Sequence, residues 1–269
     1  MSKPVEIIFL GGGGGRWETI KQNKGTGGFR ITTEQLNAHV DPGPGALVRM
    51  NQLNIDPWDT NLLVVSHCHP DHYTDSELII EAMTFGMTKI AGRIIGNSSV
   101  LLGNEIFEKK ISTYHQSKVL EKHVLKVGES INIDDVSFKG TKTKHGDPYG
   151  VGFKIETPKG IIGYTGDTEN IPSLIKDFSG VKLLIANVVR ADIKVPGHMY
   201  SEDIISIINS MKPSEKPELI VIYHMGTKMK EPDKFGQLIT ERTGILTIPA
   251  KIGLKLTIDE KIEYEYLKH

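Results

Sequence analysis

His67-Cys68-His69-Pro70-Asp71-His72 is the stretch that decides how this chain is read. It follows Leu62-Leu63-Val64-Val65-Ser66, a short apolar run that reads as a buried strand. In extended backbone, residues i and i+2 point the same way, so His67 and His69 can reach one ion while Cys68 points elsewhere. Pro70 forces a turn, after which Asp71 and His72 can face a second ion beside the first. A structural metal site more often closes four Cys/His ligands off from water. Ligands at a strand-to-loop junction combine rigid backing with open access, which is what a catalytic metal needs. Imidazole suits zinc, and the carboxylate widens the choice to manganese or iron. A lone strand histidine is usually structural. Three histidines and an aspartate in six residues have few other physical uses.

Two adjacent ions need more ligands than this segment offers, and the chain has 10 His to supply them. His145 follows a polar, strand-like stretch at 136–144 and precedes the turn signal Gly146-Asp147-Pro148. Asp167 lies in Gly163-Tyr164-Thr165-Gly166-Asp167-Thr168, after the apolar pair Ile161-Ile162, and a carboxylate has two oxygens with which to bridge two cations. His224 ends Leu219-Ile220-Val221-Ile222-Tyr223, another buried-strand run. Each alone is weak, since an Asp in a glycine-rich turn is usually an ordinary turn residue. Repetition gives them weight: apolar strand, then His or Asp, then a small residue.

With these residues in hand, the sequence resembles the metallo-β-lactamase superfamily. The match runs over essentially the whole chain: His67-x-His69-x-Asp71-His72, then His145, Asp167 and His224 in order, and an early turn Val40-Asp41-Pro42-Gly43-Pro44-Gly45. The resemblance implies a four-layer αββα sandwich of the α/β (α+β) class, with two divalent metal ions at one edge. It implies that His67, His69 and His145 hold one ion, that Asp71, His72 and His224 hold the other, and that Asp167 bridges. The redox branch of the superfamily usually carries an acidic residue where this chain has His69, so hydrolysis is implied. Phe9-Leu10-Gly11-Gly12-Gly13-Gly14-Gly15 is similar to the start of the ribonuclease Z and cyclic-phosphodiesterase branches. His198, in Gly197-His198-Met199-Tyr200-Ser201, resembles their extra histidine behind the ligands. Only 21 residues separate His145 from Asp167, where bacterial tRNA-processing enzymes usually insert a long tRNA-gripping arm. That departure counts against tRNA maturation and leaves phosphodiester chemistry open.

The expected activity is that of a binuclear metal-dependent hydrolase acting on phosphodiesters, small and cyclic or derived from nucleic acid. Two ions, zinc in the first instance with manganese or iron as alternatives, would stand about 3.5–4 Å apart and activate a bridging hydroxide. Asp71, Asp167 and His198 are the expected catalytic residues. Asp167 orients the nucleophile, and His198 protonates the leaving oxygen or holds the anion. Arg190 and Lys228 are candidates to clamp an anionic substrate at the rim, with solvated surface charge as the competing reading. Tyr149 and Tyr200 are weaker candidates. The alternative activity is hydrolysis of lactones or other carboxylic esters on the same centre.

Composition bounds the rest. A length of 269 residues is ample for a core, and no Pro/Ser-rich linker divides it, so one domain over 1–269 is expected. A net charge of −1 argues for a small anionic or nucleotide-derived substrate over an extended nucleic-acid or membrane surface. A single cysteine and the absence of a signal-peptide pattern point to the cytoplasm. No apolar run approaches the ~20 residues of a spanning helix.

Along the chain, residues 5–10 open as a strand, and the five glycines that follow let backbone approach the site. Thr74-Asp75-Ser76-Glu77 predicts a capping box, with Leu78, Ile79 and Ala82 on the packed face. Helices are expected at 171–178, at 201–212 with Ser201 as its cap, and over Pro232–Thr243 ended by Gly244. Residues 87–126 are the least legible, and His115 and His123 within them are assigned to structure or surface. His39 reads as a strand histidine, and His269 as a disordered terminus.

Overall fold

Strand alternation sorts the apolar side chains of this chain onto two faces. In Leu62–Val65, Leu62 and Val64 join one buried cluster while Leu63 and Val65 join another. Leu183–Arg190 and Leu219–Tyr223 split in the same way, with Ile185 and Val221 to one side and Leu184 and Ile220 to the other. A strand that is apolar on both faces must lie between two layers. In the computed structural model, which describes residues 2–268, these strands lie in two sheets. His269 lies outside the described residues.

The first sheet runs Ile262–Tyr266, Leu254–Ile258, Val5–Gly11, Thr26–Thr32, Asn37–Val40, Leu62–Val65, Arg93–Gly96 and Glu121–Val124. Its pairing is antiparallel as far as Asn37–Val40 and parallel from there on. The second runs Thr247–Pro249, Leu219–Tyr223, Leu183–Arg190, Gly160–Tyr164, Val151–Thr157, Val136–Lys142 and Ser130–Ile133, with Met199–Tyr200 beside Leu183–Arg190. Here the first four strands pair in parallel and the rest antiparallel.

The two sheets pack face to face through one buried cluster that draws on both. Phe29 meets Tyr164 at 5.3 Å between ring centroids, and Phe9 meets Tyr223 at 5.9 Å, so aromatic contacts join the sheets at the core. Ala46–Gln52 and Ser76–Met83 cover the outer face of the first sheet, through Met50, Ile79, Ile80 and Met83. Ser173–Phe178, Ser201–Asn209 and Pro232–Thr243 cover the second. The order helix, sheet, sheet, helix is the αββα sandwich expected. The last two strands return to the first sheet beside Val5–Gly11, so the two sheets are not simply the two halves of the sequence.

Local details differ from expectation. Asp75 precedes the helix Ser76–Met83 without a side-chain cap bond, and its carboxylate accepts instead from Leu47 N–H. Thr74 Oγ1 donates to Pro70 O, and Glu77 accepts from Ser112 N–H, so tertiary partners have taken the groups a capping box would use. The packed face of that helix carries Ile80 and Met83, while Leu78 is exposed. Ser201 is the first helical residue and not the cap; Tyr200 N–H donates to Asp203. Pro232–Thr243 ends at Gly244, whose φ of 74° is the left-handed turn that glycine allows. The 21 residues between His145 and Asp167 supply the strands Val151–Thr157 and Gly160–Tyr164, which pair with each other inside the second sheet. Among the described residues no helix is long and apolar enough to cross a membrane.

Candidate metal centre

Parallel strands release their chain ends on one side, and that is where open α/β sheets gather ligands. Asn37–Val40 hands the chain to Asp41, Leu62–Val65 to His67, Gly160–Tyr164 to Asp167 and Leu219–Tyr223 to His224. All four strands lie in the parallel parts of their sheets. The backbones of Asp41 and His224 sit at φ 49° and 59°, an uncommon region in which Asp and His are among the better tolerated residues.

The seven side chains expected as metal ligands converge. His67 Nε2 stands 3.1 Å from His69 Nδ1, which stands 2.9 Å from His145 Nε2. His224 Nε2 lies 3.0 Å from Asp71 Oδ2 and 3.1 Å from Asp167 Oδ2. Asp167 Oδ2 is the hub: nitrogens of His67, His72, His145, His198 and His224 all lie 3.1–3.7 Å from it. Donor groups that could hold an ion are His67/His69/His145, Asp71/His72/His224, His67/His72/Asp167 and His145/Asp167/His198.

The hydrogen bonds around the site set the tautomers. His72 Nδ1–H donates to Asp41 Oδ2 at 2.8 Å, and His145 Nδ1–H donates to Gly197 O at 2.8 Å. Ser66 Oγ spends its only proton on Asp41, so the 3.1 Å contact to His67 requires Nδ1–H of His67 as donor. The Nε2 atoms of His67, His72 and His145 are thereby all turned inward. His69 can offer one proton to this crowd, which cannot satisfy two facing lone pairs. Nε2 of His72 is buried without any hydrogen-bond partner, facing Asp71 and Asp167 at 3.6 Å each. Lone pairs and carboxylates converging on shared points are a donor set that fits cations.

Charge follows the same pattern. Burial, then neighbouring imidazoles, hold His67 well below its ordinary pKa and push His69 down to about 4. Burial also opposes charge on Asp71 and Asp167, yet the facing histidines outweigh it and keep both carboxyls below their usual range. Burial would likewise lower His72 and His224. The carboxylates instead carry His72 well above its ordinary value and His224 up to about 9. The acidic groups thus draw positive charge to this side of the site, the charge a divalent cation carries.

Other contributors surround the ligand set; the close approach of the glycine run was expected, and the partners of its residues were not legible in the sequence. Gly15 N–H donates to Asp71 Oδ2 at 2.6 Å, and Asn187 Nδ2 donates to Asp167 Oδ1 at 2.7 Å. Gly14 runs so close to His224 that a methyl group there would overlap the imidazole. Asp147, read as a turn residue, is buried and accepts from Cys68 N–H, Asn97, Ser99 and Tyr149 N–H, tying the metal-binding loop to its neighbours. The ordinary reading of aspartate after glycine hid it.

The remaining candidates divide between the centre and other parts of the fold. His198 reaches Asp167 as closely as His67 does, so it borders the hub directly. Cys68 is buried among apolar side chains and is not in the donor groups. His39 lies in its strand, with Nε2 2.8 Å from Gly27 O. His115 meets Glu77 and Glu81, and His123 meets Glu121. Arg190, Lys228, Tyr149 and Tyr200 are not among the residues lining the cavity over the centre. The cations there are Arg16 and Lys110.

A family model for the beta-lactamase superfamily domain matches residues 37–225. The uncharacterized protein MJ1374 of Methanocaldococcus jannaschii is 54% identical over 98% of this chain and 99% of its own length. Ribonuclease Z of Sulfolobus acidocaldarius is 26% identical over 67% of this chain and 74% of that protein. Among solved structures, the metallo-beta-lactamase fold protein YhfI of Bacillus subtilis superposes with a TM-score of 0.78 at 19% identity, covering 94% of this chain and 99% of that one. Fold, donor set and family model agree, and the chain belongs to the metallo-β-lactamase superfamily.

Proposed function

We propose that this protein is a binuclear metal-dependent phosphodiesterase. In this reading His67, His69 and His145 hold one divalent ion, Asp71, His72 and His224 hold the second, and Asp167 is shared. Zinc is the first choice for an imidazole-rich set, with manganese or iron next. The observation that carries the reading is the position of Asp167 Oδ2, within 3.1–3.7 Å of five imidazole nitrogens drawn from separate parts of the chain. Bound ions would supply Lewis acidity and a water made acidic enough to react near neutral pH.

The chain's own residues do the remaining work. Asp41 fixes the ring of His72, Gly197 O fixes His145, and Asn187 holds one oxygen of Asp167 so that the other stays at the hub. His198 is pushed down to about 4 by burial, so its imidazole is neutral near pH 7. With a proton on one ring nitrogen, the neutral ring would donate a hydrogen bond to a phosphoryl oxygen and hold the charge that develops there. The resemblance to a ribonuclease Z supports phosphodiester chemistry over ester chemistry.

The test is a substrate panel on the metal-loaded protein. Hydrolysis of bis(4-nitrophenyl) phosphate, with little action on 4-nitrophenyl acetate or a lactone, is expected. The reverse order would transfer the site to carboxylic esters.

A further inference from the structure

The centre opens into a cavity of about 780 Å³ whose wall is not furnished by the metal motif alone. One part comes from the short helix Arg16–Lys21, which presents Arg16 and Ile20. Another comes from the loop at 102–110, which presents Phe107 and Lys110, and Tyr73 lines the same space. Lys110 Nζ lies 5.5 Å from the Phe107 ring centroid and 5.6 Å from that of Tyr73, within the range of a cation held by aromatic faces. Phe107 stands edge to face with His69 at 6.3 Å, so it borders the centre itself.

Neither Arg16 nor Lys110 has a carboxylate within ion-pair distance among the described residues. Two unpaired cations beside a cavity can take a second anionic group, beyond the one at the metals. The loop is also anchored. Asn104 Oδ1 accepts from Ile106 N–H and Phe107 N–H, and Asn104 Nδ2 donates to Ser99 Oγ. Ser99 donates in turn to Asp147, two residues beyond His145. Phe107 is therefore positioned by a chain of hydrogen bonds that starts at the metal-binding loop.

We propose that Phe107, Ile20 and Tyr73 receive the planar base of a nucleotide-sized phosphodiester while Lys110 and Arg16 hold its anionic groups. The assignment rests on the phosphodiesterase reading above and narrows it to substrates that combine a phosphate with an aromatic base. Cavities of a few hundred to a thousand Å³ suit ligands of that size. Stacking of one base on an aromatic side chain is enough for about a tenfold difference in affinity.

The experiment measures binding to the zinc-loaded protein by calorimetry, with adenosine 5′-monophosphate and ribose 5-phosphate as probes. The nucleotide is expected to bind about tenfold more tightly, and Phe107→Ala to bring the two together. Phe107→Leu keeps the apolar volume and removes the π face, so it should do the same with an unchanged thermal midpoint. Lys110→Gln should weaken both probes alike, by about tenfold. Equal affinity for the two probes in the parent, or a preference that survives both Phe107 variants, would overturn the assignment. So would an eight-residue oligoribonucleotide binding far more tightly than the mononucleotide, since recognition would then extend past the cavity. Turnover of bis(4-nitrophenyl) phosphate without nucleotide preference sinks the subsite and leaves the phosphodiesterase reading standing. Nucleotide preference without phosphodiester turnover does the opposite.

Discussion

Asp167 has two oxygens in different surroundings. Oδ1 is held by Asn187 at 2.7 Å, and Oδ2 faces five imidazoles. Removing the carboxylate leaves those histidines without their common counter-charge. Asp167→Ala is therefore expected to lose at least one metal and to lower turnover by about 10³-fold or more. Unchanged metal content with full turnover would remove Asp167 from the mechanism. His198→Ala should act differently, lowering kcat by about 10²-fold with both metals retained. A parent rate on every hydrolysed phosphodiester would refute the role of His198 in holding the anion. Legibility at this scale followed chemical type. The donor residues His67, His69, Asp71 and His72 stood out because histidines crowded into six residues have few other uses. Asp147 and Asn187 could not, because their partners lie 79 and 20 positions away and their residue types are common in turns; Gly15 was legible only as one of a glycine run, not as a donor to Asp71.

Elements matter here mainly through how closely they pass the centre. Val5–Gly11 delivers a glycine run that crosses beside His224, and Gly15 N–H ends it on Asp71. Gly14→Ala should push the His224 ring aside, cost about 1–3 kcal/mol and reduce metal content. Gly244→Ala is the control: its φ of 74° makes a side chain strained, but the space around it is open. It should cost about 1–2 kcal/mol and leave metal content unchanged. Equal metal loss in both variants, measured by elemental analysis beside thermal midpoints, would contradict the close-approach argument. Apolar runs were enough to read Leu62–Val65 and Leu219–Tyr223, which end at proposed ligands, because both are buried on both faces. It was not enough for helix starts. Thr74, Asp75 and Glu77 form a sound capping pattern, yet Pro70, Leu47 and Ser112 compete for those same groups from elsewhere in the fold. The loop at 102–110 carries no periodicity at all, and its position depends on Asn104 and Ser99.

Across the whole molecule, the proposed ligands come from both sheets: His67 to His72 from the first, and His145, Asp167 and His224 from the second. Metal binding should therefore stabilise the sandwich, by about 4 kcal/mol when free metal is ~1,000 times its Kd, and a chelator should lower the thermal midpoint. A midpoint indifferent to chelator would contradict this. His39 adds a pH dependence independent of the ligands. It is fully buried, and burial pushes its pKa down from 6.5 to about 4. Between those values the unfolded chain binds the proton and the folded chain does not. This contribution is whole above pH 6.5, is lost as pH falls to about 4, and amounts to about 3 kcal/mol at most. His39→Gln should flatten the stability curve in that window, and parallel curves for parent and variant would refute it. The most direct test of the central claim is elemental analysis of the purified chain, read together with turnover of bis(4-nitrophenyl) phosphate. Two divalent ions per chain, with turnover rising as the second fills, is the predicted result; full turnover with one ion or none would contradict it.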